Sequence, residues 1–219
     1  MGLICECPLG TLPNQIDLTC ATDLDQIVRI AFQKPQATPS FVTATPITDA
    51  DTWTTLLAAS DDTKVVLSPA TANLVIPSSE AVYVGENSNE SINGLGYYLG
   101  EQNIRVTGEI SSASQLVIDA LSDLACYSDV SLGASQLTAY FFIRRIKGVS
   151  RVVAKGSDVA GDYVGFQIFN FRVSSVGSEG YQTKSKYMFS FDMQPDEWKK
   201  MELVSTDFNP LSLANVATT

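Results

Sequence analysis

Any chemistry in this chain would fall to its cysteines, its carboxylates or one cluster of cations. The 219 residues contain no histidine. That removes Ser-His-Asp and Cys-His nucleophile systems and the commonest metal ligand. Cys5-Glu6-Cys7 with Cys20 invites a metal reading, with a fourth ligand from Cys126 or a carboxylate. C-x-C is tighter than the C-x2–4-C pairs of structural zinc sites. Free cysteines that pack as small hydrophobes are the simpler expectation, so neither metal nor cofactor is expected. The pairs Asp23/Asp25, Asp49/Asp51 and Asp61/Asp62 lack the loop spacing of an EF-hand and read as caps and turns. Asp192, Asp196 and Glu197 have no spacing that argues for shared acid-base work, and mark a turn into a short helix over 195–201. Gly94, Gly96 and Gly100 follow a polar loop with no helix start behind them, so they read as turn geometry rather than a phosphate loop. No catalytic constellation results, and the expectation is that the protein is not an enzyme.

The cations are the positive signal. "TAYFFIRRIKGVSRVVAKGSD", 138–158, holds Arg144, Arg145, Lys147, Arg151 and Lys155, five of the fourteen basic residues in a chain of formal net charge -10. Residues 1–143 carry 4 basic and 16 acidic residues, a net of -12, and residues 144–219 carry 10 basic and 8 acidic, a net of +2. In a strand, Arg144 and Arg145 point to opposite faces. Three readings of the segment compete. Nucleic-acid binding would want aromatics interleaved with the cations and a basic domain. A solvated hairpin with gatekeeping charges is the second. The third, and the one preferred, is a projecting arm that docks on the acidic surface of a neighbouring copy.

The elements that would position this segment follow from periodicity. "QIVRIAFQ", 26–33, alternates apolar and polar and reads as a strand. Thr48 with Asp51 makes a capping-box-like start to a short helix ending near Asp61, with Trp53, Leu56 and Leu57 on one face. "KVVL", "NLVI" and "AVYVG" are short strands, and 86–93 is a polar loop. Residues 111–127 form the best helix, capped by Ser111 or Ser112, with Leu116, Val117, Ala120, Leu121, Leu124 and Ala125 as its apolar stripe. After it the period changes to two. Residues 137–146 form a strand, extended through "VSRVVAK"; 163–176 is a long strand, with Phe166, Ile168 and Asn170 on one face and Phe169, Phe171 and Val173 on the other; "SKYMFSFDM" returns.

The expected organisation is an N-terminal arm (1–20), a single β-rich domain (21–205) with a projecting hairpin (137–176), and a C-terminal tail (206–219). The fold class expected is mainly β, sandwich- or barrel-like, with a long antiparallel hairpin and one or two packed helices. Hydrophobic residues at 45% allow a real core, and charged residues at 17% fall below the usual share of about 25%. A surface so low in charge suits coverage by partners. No segment approaches the 18 or so apolar residues of a membrane span, and the first residues have no basic region followed by an apolar run. The expectation is a protein made in the cytoplasm.

The order of features, an arm, a β-rich core, the amphipathic helix 111–127, the hairpin 137–176 and a C-terminal tail, resembles tail-tube and neck-ring proteins of tailed bacteriophages. The Thr/Ser-rich, histidine-free style is similar to virion proteins of the crAss-like phages. The resemblance implies a tail-tube-like fold and a structural virion subunit. It implies copies in a ring around an axial channel, with adjacent ring, portal or tail proteins as partners. Genomic DNA would pass without specific binding, repelled by an acidic lumen. It offers no catalytic residues. The alternative is an accessory virion protein that decorates the capsid or binds a host surface.

Overall fold

The computed structural model describes residues 26–86, 95–111, 113–132, 137–146, 149–157, 159, 161–177 and 185–215, with Leu132, Arg144, Arg145, Ile146 and Val149 by backbone alone. The expected N-terminal arm with Cys5, Cys7 and Cys20, most of the polar loop after Glu86, Lys147 and the tail beyond Asn215 lie outside the described residues. The chain forms two compact units, Met1–Asp23 with Glu80–Gln102, and Leu24–Ser79 with Asn103–Thr219.

The larger unit is mainly antiparallel β. Its strands are β1 (Ile27–Gln33), β2 (Val65–Leu67), β3 (Thr71–Val75), β6 (Ile104–Ser111), β7 (Thr138–Ile146), β8 (Val149–Gly156), β9 (Tyr163–Val164), β10 (Phe166–Val173), β11 (Lys186–Met193) and β12 (Met201–Thr206). Its helices are α1 (Ala50–Ala58), α2 (Gln115–Asp123) and the single turn α3 (Pro195–Trp198). One run of strands is β12-β8-β7-β1-β2, with β9 beside β8, and the other is β10-β11-β6-β3. They join where Phe166 and Gln167 pair with Ala139 and Thr138.

β7 explains why the domain has two cores. Successive strand residues point to opposite faces, and here both faces are apolar. Ala139, Phe141 and Ile143 enter a core shared with Val106, Ile168, Phe171, Phe189 and Phe191 of the second run. Tyr140 and Phe142 enter a second core with Phe41, Trp53, Leu57 and Leu213. Trp53 anchors that second core. Its ring lies 4.5 Å from Phe41 and 4.8 Å from Phe142, and its indole N–H donates to the Ile47 carbonyl at 2.8 Å.

Several local expectations change. α1 is capped by Asp49 rather than Thr48: its carboxylate accepts the Asp51 N–H at 3.1 Å. α2 starts after Ser114 and gives way to a 3-10 turn at Leu124, so it is shorter than 111–127. It buries Ile118 and Leu121, while Leu116 is 81% exposed. The buried stripe is therefore turned by about one residue, or 100°, from the expected one. Residues 137–155 are not one extended strand, because the chain reverses after Ile146 and β8 returns along β7, with Ile146 opposite Val149. On β10, Phe166, Ile168 and Phe171 are all buried on the same core. A bulge between Phe169 and Arg172 shifts the register against β11, and Asn170 has a φ of 54°. One extra residue reverses the alternation.

The C-terminal segment is tied to the domain. Arg29 donates to the carbonyls of Pro210 at 3.2 Å and Leu213 at 2.5 Å. The Asn215 side chain accepts the Leu67 N–H at 2.8 Å and donates to the Leu67 carbonyl at 2.9 Å, as a neighbouring strand would. Leu213 is buried beneath these ties.

The smaller unit contributes one described hairpin, β4 (Ala81–Val84) with β5 (Tyr97–Glu101), bulged between Val82 and Tyr83. Of the glycines expected to make a turn, Gly96 precedes β5 and Gly100 sits inside it, while Gly94 lies outside the described residues. Gly100 has the expected positive φ, 150°, at the β5 bulge, and Gly85 after β4 has a φ of 80°.

Candidate functional site

The β7–β8 reversal decides how the five cations are grouped. Ile143 pairs with Arg151 and Ile146 with Val149, so positions 144, 145 and 151 share one end of the β7–β8 pair, and Lys147 lies outside the described residues. Lys155 sits six residues from Val149, opposite Val164 and Met201. At about 3.3 Å per residue it is roughly 20 Å from the turn. Its ammonium contacts both carboxylate oxygens of Glu197 on α3, at 2.8 and 2.7 Å, and each side chain is about one-fifth exposed. Lys155 is thus engaged within its own chain. Arg151 is half-buried on β8. The side chains of Arg144, Arg145 and Lys147 lie outside the described residues.

The Lys155–Glu197 pair forms one wall of a cleft of about 230 Å³, lined also by Gln33, Lys34, Thr138 and Tyr140. Its polar groups are engaged with one another. The Gln33 amide donates to the Thr63 carbonyl at 2.7 Å and its side-chain oxygen accepts the Tyr140 hydroxyl at 3.2 Å. Thr138 donates to the Gln33 carbonyl at 2.9 Å. Burial pushes the Tyr140 phenol far above its ordinary value, and a hydrogen bond with the Gly165 backbone offsets only part of this, so the group stays protonated. Gly165 has to be glycine here. A Cβ would stand 2.6 Å from Thr138 Oγ1 and 3.1 Å from the Tyr140 ring. The arrangement locks the start of β7 against β1 and β10. Its geometry offers a neutral ion pair and a protonated phenol, and it pairs no nucleophile with a base.

The other groups singled out in the sequence disperse. Asp192 is held by Arg105 at 2.8 and 3.2 Å and by the Asn170 amide at 3.0 Å. Asp196 faces Lys199 at 3.5 Å, and Glu197 faces Lys155. The three acids therefore answer to three different cations rather than to one pocket. Cys126 is free and exposed. Among the described residues no three His, Cys, Asp or Glu side chains gather to hold a metal ion.

A surface that sequence reasoning missed lies on the β4–β5 hairpin. Tyr83 and Tyr98 face each other with ring centres 5.8 Å apart, and each is about half exposed. Alternation assigns Val84 and Tyr97 to the opposite face, and these are 53% and 59% exposed, while Leu99, at the bulge, is 67% exposed. The signal was present in "GYYLGE", where strand-favouring residues sit between glycines.

The fold defines a mainly antiparallel β protein with small packed helices. Compared with known proteins, the chain matches no family model and no curated sequence.

Proposed function

We propose that the protein is a structural subunit of a bacteriophage virion, a ring or tube component of the neck or tail that assembles head-to-tail with its own copies around a channel for DNA. The observation that carries this reading is the charge asymmetry of the chain. Residues 1–143 have a net charge of -12, whereas Arg144, Arg145, Lys147 and Arg151 fall within eight positions of the sequence, 144 and 145 on β7 and 151 on β8. The two parts interleave in the sheet and are joined by pairs such as Arg105–Asp192 and Arg172–Asp129, so the asymmetry is one of sequence; a basic segment on an acidic chain would favour a heterologous contact between copies, which closes into a ring when the rotation allows. An acidic wall would also let DNA slide without sticking.

The docking role proposed for this cluster rests on Arg144, Arg145, Lys147 and Arg151. Lys155 belongs to the internal pair with Glu197. A second reading, an accessory protein that decorates a capsid or binds a host surface, is favoured by the exposed tyrosines of the β4–β5 hairpin, since exposed aromatic patches suit recognition.

Native mass measurement with negative-stain imaging, over a range of concentration and salt, separates the two readings. Closed rings of fixed order that dissociate as salt rises are the expected result. A monomer or trimer at every condition sinks the ring reading and favours the accessory one.

A further inference from the structure

We infer that the groove holding the C-terminal strap, residues 209–215, is a peptide-binding site that takes the same segment from a second copy of this chain; resting on the assembly reading above, strap exchange is then a link between copies. Within its own chain the strap is held as a ligand is held. The Arg29 guanidinium donates to the Pro210 carbonyl at 3.2 Å and the Leu213 carbonyl at 2.5 Å, while its Nε donates to the Ser68 carbonyl at 3.2 Å. Leu213 fills a place in the core of Phe41, Trp53, Leu57 and Phe142. The Asn215 amide accepts the Leu67 N–H at 2.8 Å and donates to the Leu67 carbonyl at 2.9 Å. One side chain thus satisfies both backbone groups that β2 presents at that position. The groove therefore recognises Pro-x-x-Leu-x-Asn: two carbonyls, one apolar side chain and one amide.

The strap carries its own shape into the groove. The Asn209 side chain accepts the Leu211 N–H at 3.1 Å, and the Asn209 carbonyl accepts the Ser212 N–H at 2.9 Å and the Ser212 hydroxyl at 2.7 Å. Pro210 presets the backbone at the start of this 3-10 turn, Pro210–Ser212. A segment already turned loses less freedom on binding. Upstream, the Thr206 hydroxyl donates to the Phe208 carbonyl at 3.3 Å and Phe208 packs on Phe142, so the pivot falls between 208 and 209. The contacts are the same whichever copy supplies the strap. Exchange then costs association entropy and a change at the pivot, which makes it a low-cost route to oligomers. Residues 208–219 carry no charged side chain, so the strap meets a copy of net charge -10 without side-chain repulsion. One buried leucine and a few hydrogen bonds favour closure in cis by about 10²–10⁴-fold. At an effective concentration in the mM range, that corresponds to a Kd of about 0.1–10 µM between separate molecules.

The test uses full-length chains. Leu213→Ser with Asn215→Ser releases the strap and leaves the groove intact, and Arg29→Met weakens the groove and leaves the strap intact. Mixed, the two are expected to form pairs of one copy each by native mass, with a strap of the second form seated in a groove of the first. A synthetic peptide of residues 209–219 is expected to bind the strap-released chain with a Kd of about 0.1–10 µM and to raise its thermal midpoint. The same peptide with Leu213→Ala and Asn215→Ala is expected to bind about tenfold or more weakly. A strap-released chain that fails to fold is replaced by the unaltered chain and a peptide with a photoreactive leucine at position 213. Covalent capture registers even rare openings of the strap, and its links are expected within residues 41–67 and 140–142. Links absent, or scattered over the surface, overturn the inference. A folded strap-released chain that takes neither peptide nor partner also overturns it, and rings of the unaltered chain then leave the assembly reading standing. Peptide binding without mixed pairs overturns it as well, because the strap then serves only its own chain. Mixed pairs from a protein whose unaltered chain never forms rings sustain the exchange and sink the ring reading.

Discussion

Asp192 shows how a buried acid can steady a strand. Burial alone would raise its pKa. The hydrogen bonds from Arg105 and Asn170 and the Arg105 charge outweigh that, and the carboxyl sits below the usual range. Its folded pKa therefore lies below its unfolded value of about 3.9. The stabilisation is present above that value and is lost as pH falls through the folded pKa. Asp192→Asn is expected to destabilise the domain by about 1 kcal/mol at pH 7, an amount set low because the Arg105 side chain is largely solvated. Denaturant titrations of both forms should converge as the pH is taken well below 4. A difference that persists unchanged at low pH would mean that packing, not charge, is what the substitution alters.

At the scale of elements, β10 depends on a single residue of unusual backbone. Asn170 adopts the left-handed region, with φ of 54°, at the bulge that keeps Phe166, Ile168 and Phe171 all on the core. Asn and Gly tolerate that region and β-branched residues do not. Asn170→Val is expected to cost about 1–3 kcal/mol. Asn170→Gly should recover the backbone part of that loss and still lack the bond to Asp192. Chemical denaturation of the two variants checks the order; equal losses would place the whole effect in the side chain. This bulge also marks how far the sequence could be read. β1, α1, β7, β10 and β11 were legible because their apolar residues recur at a clean period. The phase change within β10 was not, since a bulge leaves the composition untouched and only reverses the alternation. α2 misled for another reason: Leu116 and Val117 look like core residues, but they lie in its first turn on the face away from the core that Ile118 and Leu121 enter. β6 hid behind its glycine, although Ile104, Val106 and Ile110 alternate properly around Gly108. β12 hid because it is short and contains Glu202 and Ser205. Among the predicted contact residues, the gathering of 144, 145 and 151 needed only a hairpin. The loss of Lys155 to Glu197 depended on where α3 lands, which no local pattern encodes.

On the scale of the whole molecule, the domain is closed by its last described residues. Leu213 is buried, Asn215 pairs with Leu67 through two hydrogen bonds, and Arg29 holds two carbonyls of the same segment. A chain ending at Phe208 gives up one buried leucine, worth about 1.5–3 kcal/mol, and several hydrogen bonds at about 1 kcal/mol each. It is expected to lose about 3–6 kcal/mol of stability in denaturant titration. If the shortened chain unfolded at the same midpoint, the tie would be decorative and the second core would stand on Trp53 and Phe142 alone.

That closing tie also has a consequence in time. Arg29 and Leu213 are 184 residues apart in the chain. β1 pairs with β7 more than a hundred positions downstream. At about 5–20 residues per second, a ribosome takes roughly 10–40 s to travel from the first of these partners to the last. Until β7 has been made, roughly 5–20 s after β1, the nascent β1, with Ile27, Ile30 and Phe32, has no native strand beside it except the short β2. Topology of this kind folds slowly. Until β7 emerges, an apolar strand waits for a partner that does not yet exist, and the newborn chain is then most in need of a chaperone.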